Sequence, residues 1–342
     1  MRTAAVLAFS KKGCELAKRI EAFLCEQEEV SCARYAPEKY VTEGCEPIQG
    51  GISSFTGPLM KDKDILIFVG ACGIAVRSIA PYLVSKTCDP AVLCVDETGK
   101  YVISLLSGHI GGGNRLALSV AGGIGAVPVV TTATDVNGRF SVDAWAAEQG
   151  FGIGSMAIAK DFSAAILERD LPVCADVPIE GTLPKGLYAG ETGELGVCIS
   201  TRTRRPFKST LLLIPKVLTL GIGCRRGTPC ETIEAAVRQT LEENRINLRA
   251  VREIASVTLK SDEEGLLAFA KKYRLPIQFY TPEELNAVEG EFTASAFVKN
   301  TVGVDNVCER SAALGGGRLI VKKTAGQGVT AAVAEGGWKV CF

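Results

Sequence analysis

The sequence predicts an α/β fold, in which the strands of a mostly parallel sheet alternate with helices. Short apolar or β-branched runs recur along the chain, each followed by a glycine-bearing turn and a segment with helical spacing. The run Ile65–Val69 is continuously apolar, as expected of a strand covered on both faces of a parallel sheet. With 342 residues, the chain is long enough for two or three compact units.

Residues 1–140 form the predicted N-terminal α/β domain, which contains the mostly parallel sheet. Its predicted strands are 3–9, 65–69, 91–95, 101–106 and 127–131. The first predicted helix, 13–25, places Leu16, Ala17, Ile20 and Leu24 on one buried face. A second helix is predicted over 114–121.

Two further α/β domains are predicted, a small middle domain over 141–215 and a C-terminal domain over 216–342. The middle domain has weaker periodicity and ends in a basic run that is typical of a solvated connection, Arg202, Arg204, Arg205 and Lys208. In the C-terminal domain we expect strands at 217–222, 254–259 and 319–322. Three capping boxes, which begin at Thr228, Ser261 and Thr281, predict the starts of helices.

Charge and cysteine content exclude several classes of protein. Lys plus Arg equals Asp plus Glu at 38 each, so no net field attracts nucleic acid or an anionic membrane surface. The 13 cysteines are odd in number and form no Cys-x-x-Cys pair, which favours reduced thiols in the cytoplasm. The first nine residues are too short an apolar segment for a signal peptide, and glycines and a proline interrupt the apolar stretch 118–130.

The segment 105–114, LLSGHIGGGN, is the strongest candidate for a functional loop. It contains four glycines within six residues and follows a predicted strand, so its backbone is suited to close approach by a ligand. Backbone amides at the start of the following helix would attract a carboxylate or phosphate. His109 is the only histidine of the chain, and an imidazole is suited to proton transfer near neutral pH. A tight turn and a structural histidine are the competing interpretations.

A second group of polar residues ends a predicted strand. Thr131, Thr132 and Asp135 follow the apolar run at 127–130. Open α/β sheets place ligand-binding groups at the carboxyl ends of their strands, so we expect these side chains to face a ligand.

The turn 221–228, GIGCRRGT, nearly matches a dinucleotide-binding fingerprint. The third glycine would fall at Arg226, and the acidic residue expected about 20 positions later is missing, so a nucleotide-dependent oxidoreductase is disfavoured. Arg225 and Arg226 instead favour an acidic ligand. The chain also lacks a Walker A motif, a G-x-S-x-G elbow and a set of residues with metal-ligand spacing.

These motifs resemble the cobalt-precorrin-5A hydrolase family of anaerobic cobalamin biosynthesis, over nearly the whole chain. Besides LLSGHIGGGN, the resemblance depends on 70–77 (GACGIAVR), 86–92 (KTCDPAV), 95–97 (VDE), 131–135 (TTATD), 221–227 (GIGCRRG), 260–263 (KSDE) and 303–309 (GVDNVCE). One departure is Gly113, where the family pattern has alanine. The middle domain resembles the family only by its position.

The resemblance implies that water opens the ring A lactone of cobalt-precorrin-5A and that a two-carbon unit leaves as acetaldehyde, giving cobalt-precorrin-5B. We expect His109 to transfer the proton, Ser107 and the amides of 111–114 to hold the oxyanion, and Asp135 to orient the site. The residues expected to bind substrate are Arg77, Gly108, Gly111, Gly112, Asn114, Thr131, Thr132, Cys224, Arg225 and Arg226. The arginines would pair with the carboxylates of the macrocycle.

No metal site and no cofactor are expected in the protein, because the substrate carries the cobalt. The expected partner is the small tetrapyrrole, with no nucleic acid and no membrane. Contact with other proteins would be a homodimer or a transient encounter with neighbouring pathway enzymes. The alternative function is that of a corrinoid-binding or carrier protein which passes the macrocycle on unchanged. Acetaldehyde production separates the two functions.

Overall fold

The computed structural model describes residues 1–85, 88–295, 299 and 302–342, and the chain divides into two compact units, Met1–Ala147 and Glu148–Phe342. Lys86 and Thr87, which begin the KTCDPAV motif, lie outside the described residues. The domain boundaries at residues 140 and 215 stay predictions. Within the described ranges, no helix combines the length and the apolar character needed to cross a membrane.

Seven strands form the sheet of the first unit: β1 (Thr3–Ala8), β2 (Ser31–Ala36), β3 (Cys45–Pro47), β4 (Ile65–Val69), β5 (Ala91–Val95), β6 (Tyr101–Leu106) and β7 (Val127–Val129). Their order is β3-β2-β1-β4-β5-β6-β7. Every residue of β4 and β5 is buried, as the continuously apolar run predicted. The predicted α/β fold with a mostly parallel sheet is therefore confirmed.

The pairing of β5 with β6 is antiparallel, whereas the other neighbouring strands of this sheet run parallel. Strands β6 and β7 therefore run opposite to β1, β4 and β5. Their carboxyl ends lie at the end of the sheet at which the other strands begin. Because β6 and β7 are parallel neighbours, the loops that follow them emerge side by side.

The α-helices described in this part of the chain are α1 (Lys11–Gln27), α2 (Ile52–Asp62), α3 (Cys72–Ile79), α4 (Gly113–Ile124), α5 (Ala133–Val136) and α6 (Val142–Glu148). Side chains of α1 and α4 form one apolar cluster with the sheet, and those of α2 and α3 form a second. The sheet is thus covered on both faces, and the four predicted apolar positions of α1 are all buried.

The second unit contains two five-stranded sheets. The strands of the first are β8 (Gly152–Ile153), β9 (Leu171–Ala175), β11 (Leu187–Ala189), β12 (Leu195–Ile199) and β13 (Ser209–Ile214), in the order β11-β9-β12-β13-β8. The strands of the second are β14 (Leu218–Cys224), β15 (Val251–Val257), β16 (Ile277–Tyr280), β17 (Arg318–Gly326) and β18 (Val329–Glu335), in the order β16-β15-β14-β18-β17. A short parallel pair joins β10 (Ile179–Glu180) to β19 (Val340–Cys341).

The helices described in this unit are α7 (Met156–Glu168), α8 (Cys230–Glu243), α9 (Glu264–Tyr273), α10 (Pro282–Ala287) and α11 (Val307–Gly316). Of the three predicted capping boxes, the one at Thr281 is confirmed. The other two are wrong. Helix α8 begins one residue later, after Pro229, and the Thr228 hydroxyl donates to the Arg225 carbonyl instead. Helix α9 begins after Glu263, whose side chain forms no cap.

Two glycines of the GIGCRRG segment, Gly221 and Gly223, are explained by close packing on neighbouring elements. A Cβ atom at Gly221 would lie 1.9 Å from the carbonyl oxygen of Cys308 in α11. One at Gly223 would lie 2.7 Å from the hydroxyl of Thr330 in β18. The near match to a dinucleotide fingerprint therefore arises from the close packing of β14 against the backbone of α11 and a side chain of β18.

We expect Gly221→Ala to lower the free energy of unfolding by about 1–3 kcal/mol or more, because the added methyl group can be accommodated only by moving α11. Chemical denaturation would measure the loss. Gly326→Ala is the matched control, since a Cβ there meets nothing within 4 Å and the backbone needs no positive φ. Equal stability of the two variants would contradict the packing account.

Candidate functional site

The loop between β6 and α4 carries His109 and has a constrained backbone. Ser107 has a φ of 54° and Gly112 a φ of 76°, both in the left-handed region. A Cβ at Gly111 would lie 2.8 Å from the Ser107 carbonyl oxygen, so only glycine fits there. The glycine-rich sequence is therefore required by the shape of this loop, which turns the imidazole toward the end of β7.

Most amides of this loop are already hydrogen-bonded within it. Gly112 N donates to the His109 carbonyl (2.9 Å), Gly113 N to Ser107 (3.1 Å) and Asn114 N to Gly108 (2.9 Å). Of the amides expected to hold an oxyanion, only that of Gly111 has no acceptor within the described part of the chain. The expected oxyanion contacts from 112–114 would therefore require the loop to rearrange.

His109 lies between two carboxylates. Its Nε2 atom is 2.8 Å from Asp135 Oδ2, and its Nδ1 atom is 3.1 Å from Asp143 Oδ1. The imidazole is 18% exposed, Asp143 11% and Asp135 38%, so the Asp143 contact is the more buried of the two. A histidine that donates to carboxylates through both ring nitrogens carries a positive charge.

Asp135 connects this histidine to the neighbouring polar side chains. Its Oδ2 atom accepts from Thr132 Oγ1 (2.6 Å) and from Asn114 Nδ2 (3.1 Å), besides facing His109. The Asn114 amide also donates to the Thr132 hydroxyl (2.6 Å), and Thr134 Oγ1 lies 3.3 Å from His109 Nε2. The structure thus brings together polar residues from the loops after β6 and β7, as expected for neighbouring parallel strands.

The contacts shift the pKa values of all three charged groups. The hydrogen bond to Asp143 raises the pKa of His109, and although burial lowers that pKa, the Asp135 contact raises it further. Burial is the largest single effect on Asp143 and raises its pKa, but the hydrogen bond and charge attraction with His109, together with the hydrogen bond from Ser141, outweigh it, and the net pKa is lowered. For Asp135, burial is likewise outweighed by hydrogen bonds, first from Thr132 and then from His109. The cluster therefore favours an imidazolium between two carboxylates.

Three other predicted residues of this unit have different placements. Ser107 donates its hydroxyl to the Asp89 carbonyl (2.9 Å), a contact that anchors the loop to the segment before β5. Gly108 leaves room for Asn114, since a Cβ there would lie 2.5 Å from Asn114 Oδ1. Thr131 is exposed, and it forms no hydrogen bond with any described residue.

Arg77 does not lie with His109. It belongs to α3, which follows the carboxyl end of β4, and its guanidinium folds back to within 3.4 Å of the Cβ position at Gly73. The His109 loop lies at the opposite edge, where Arg2, just before β1, donates to the Gly111 carbonyl (3.1 Å). The reversal at β6 separates these two predicted site residues, because it places the carboxyl ends of β4 and β6 at opposite edges.

In the second unit, Cys224 is the last residue of β14, and Arg225 and Arg226 follow it. Arg226 forms an exposed ion pair with Asp262 (3.0 Å). Arg225 is exposed, and its side chain lies over Gly328. Cys224 is half-buried, and burial raises the pKa of its thiol, so the neutral form predominates at pH 7.

The KSDE motif holds this turn in place. Lys260 Nζ lies 3.1 Å from Glu263 Oε2, and the other oxygen of the buried Glu263 accepts from Gly227 N (2.6 Å). The backbone of the turn also packs closely on Gly265, where a Cβ would lie 2.1 Å from the Thr228 carbonyl oxygen. Lys260 and Glu263 therefore shape the arginine-bearing turn without being part of its exposed surface.

Sequence reasoning missed Asp143, the carboxylate with the more buried contact to His109. It lies in the first turn of α6, where an acidic residue is common for reasons of helix stability alone. The preceding Ser141 donates to the same Asp143 oxygen (3.1 Å). The available signal was the position of this acidic residue on the buried side of a short amphipathic helix. Val142 and Ala146 are buried on the same helix, and a buried carboxylate needs a partner.

Comparisons with known proteins agree with the motifs. The family model described as Cobalamin synthesis G N-terminal matches residues 54–135, and the one described as Cobalamin synthesis G C-terminus matches residues 218–334. A cobalt-precorrin-5A hydrolase from Salmonella typhimurium is 35% identical over 95% of this chain and 95% of its own length. One from Priestia megaterium is 31% identical over 96% of this chain and 94% of its own.

Among solved structures, a cobalamin biosynthesis protein G homolog from Sulfolobus solfataricus is 24% identical, with a TM-score of 0.43. That match covers 98% of this chain and 97% of the other. The identity and coverage of the two bacterial relatives decide the assignment. This chain belongs to the cobalt-precorrin-5A hydrolase family of cobalamin biosynthesis.

Proposed function

We propose that this protein hydrolyses cobalt-precorrin-5A to cobalt-precorrin-5B with release of acetaldehyde, the activity for which its relatives are named. The observation that supports this most directly is the placement of His109 between Asp135 and Asp143 in a family member. An imidazole held by carboxylates is suited to move protons during the hydrolysis of a lactone.

The reaction requires two successive bond cleavages. Water adds to the lactone carbonyl, the carbon–oxygen bond breaks, and the products are a carboxylate and a hydroxyl group on the two-carbon unit. That hydroxyl then loses its proton while the carbon–carbon bond to the macrocycle breaks. The bonding electron pair stays with the macrocycle, and the two-carbon unit leaves as acetaldehyde. Both steps need a group that accepts a proton from oxygen.

We assign this proton transfer to Nε2 of His109. Asp143 is the more buried carboxylate and holds Nδ1, whereas Asp135 is more exposed and has other donors in Thr132 and Asn114. When His109 loses its proton, Asp135 is therefore the carboxylate that separates from it. Nε2 is then free to accept a proton from water or from the hydroxyl group of the substrate.

Substrate carboxylates would be bound by exposed arginines. Of the two in the GIGCRRG turn, Arg225 is the stronger candidate, because Arg226 is paired with Asp262. Arg77 stays a candidate for binding a part of the macrocycle away from the reacting lactone. We place the reaction in the cytoplasm and expect the cobalt to arrive with the substrate.

Anaerobic incubation of the purified protein with cobalt-precorrin-5A tests the proposal. The expected result is release of acetaldehyde in step with conversion of the macrocycle, with neither product formed in the absence of protein. Binding of the macrocycle without acetaldehyde would identify a carrier instead. It would overturn the hydrolase assignment for this chain.

A further inference from the structure

A cavity in the second unit is lined by residues of the basic run that ended the predicted middle domain. Arg204, Arg205 and Lys208 line this space of about 480 Å³, together with the start of α7, strand β13 and the turn that carries Arg249. The predicted solvated connection therefore forms one wall of a cavity that is open to solvent on one side. Nothing in the proposed hydrolysis uses this cavity.

The charge of the lining is strongly positive. Four cationic side chains and no carboxylate line the cavity. Carboxylates outside the cavity partly neutralise two of these cations. Arg204 pairs with Asp176 (2.9 Å) and Glu191 (3.5 Å), and Lys208 pairs with Glu194 (2.6 Å).

Two arginines of the lining keep their charge unpaired. Arg249 donates to the carbonyl of Ile153 (2.9 Å), which is a neutral acceptor. Arg205 forms no ion pair within the described residues. Both charges thus remain available to an anion that enters the cavity.

The rest of the lining suits an organic molecule better than a single inorganic ion. Ser155, Ser209 and Thr210 line the cavity together with the apolar residues Ile158 and Leu212. The volume falls within the range of about 300–1,000 Å³ that is usual for small-molecule sites. Such a surface can contact an apolar body while the guanidinium groups bind its charged ends.

We propose that this cavity binds a small organic anion that carries at least two carboxylate or phosphate groups. Arg205 and Arg249 pair with its oxygen atoms, and Ile158 and Leu212 contact its carbon framework. The cavity shares no lining residue with the His109 cluster, since every lining residue belongs to the second unit. The proposal does not depend on the hydrolase activity.

Two sources could supply this chemistry, a polycarboxylated tetrapyrrole and a phosphorylated metabolite. Equilibrium binding to the full-length protein should therefore be measured with two probes, uroporphyrin for carboxylates and metal-free ATP for phosphates. The probe that matches the site should bind more weakly as salt is added, since ion pairing is screened. The probe whose binding depends on Arg205 identifies the source.

We expect Arg205→Glu to weaken binding of that probe by about tenfold or more, since a charge-assisted contact is lost and a repulsive charge is added. Arg205→Lys should be intermediate, because it retains the charge but not the bidentate geometry. Arg318→Glu is the matched control: it makes the same charge change at a position in this unit that does not line the cavity.

Arg205 is exposed, so its substitution should leave the melting temperature unchanged, and this confirms that any loss of binding is local. The proposal is overturned if neither probe binds the wild-type protein. It is also overturned if both probes bind Arg205→Glu as tightly as wild type. Acetaldehyde release without any such binding would leave the hydrolase assignment intact and remove only the cavity site.

Discussion

Replacing His109 by alanine is expected to lower the rate of acetaldehyde release by about 10²–10⁴-fold, the usual contribution of a general acid or base. The imidazole is the only histidine of the chain, and its Nε2 atom faces the exposed side of the cluster beside Asp135. With it removed, Asp135 keeps its hydrogen bonds from Thr132 and Asn114, but no imidazole remains to transfer the proton. Single-turnover kinetics with cobalt-precorrin-5A would measure the chemical step.

Substrate binding separates a catalytic defect from a structural one. His109→Ala should bind cobalt-precorrin-5A with nearly wild-type affinity, because the proposed docking groups are arginines elsewhere. His109→Gln, which can still donate one hydrogen bond to a carboxylate, should hold the loop and remain inactive. Wild-type rates in both variants would remove His109 from the mechanism, whatever their stability.

Replacing Asp143 by asparagine should both slow the reaction and move its pH dependence. The contact with Asp143 is the largest cause of the raised pKa of His109, so its loss lowers that pKa. If the neutral imidazole is the active base, the rate falls as pH drops through this pKa. The acidic limb of the pH–rate profile should therefore shift to lower pH in Asp143→Asn.

The rate on the plateau of the same variant should fall by about 10²-fold or more, because an amide that donates to Nδ1 holds the imidazole in the wrong tautomer. Glu148→Gln is the matched control, a carboxylate-to-amide change at an exposed position on the same helix. It should retain the wild-type rate and profile. An unchanged acidic limb in Asp143→Asn would mean that His109 is not the titrating base.

The pairing of His109 with Asp135 could be expected from the sequence. The end of the sheet at which the two residues lie could not be. Both residues follow predicted strands, and neighbouring parallel strands bring their following loops together. Whether β6 pairs parallel or antiparallel with β5 depends on sheet geometry, which the apolar pattern does not encode. The structure therefore places Arg77 and His109 at opposite ends of the strands, and the substrate-binding role of Arg77 stays a prediction.

The two glycine clusters also show what the sequence can predict and what it cannot. Four glycines in LLSGHIGGGN indicated a special backbone, and the structure requires glycine at Gly111. In GIGCRRG the same residue type nearly matched a dinucleotide fingerprint, but the neighbour of Gly221 is the backbone of α11, about 90 residues further along the chain. The sequence shows where a side chain is excluded, and only the fold shows which atoms exclude it.

The sequence by itself determined the α/β class and the family, and it singled out His109 as a candidate catalytic residue, since apolar periodicity and short motifs are local properties of a chain. The tertiary structure alone decided that Asp143 holds Nδ1, that Arg77 lies at the opposite edge, and that the basic run lines a cavity. These facts depend on contacts between distant segments. Their geometry follows from strand direction and helix packing, which many sequences with the same periodicity could satisfy differently.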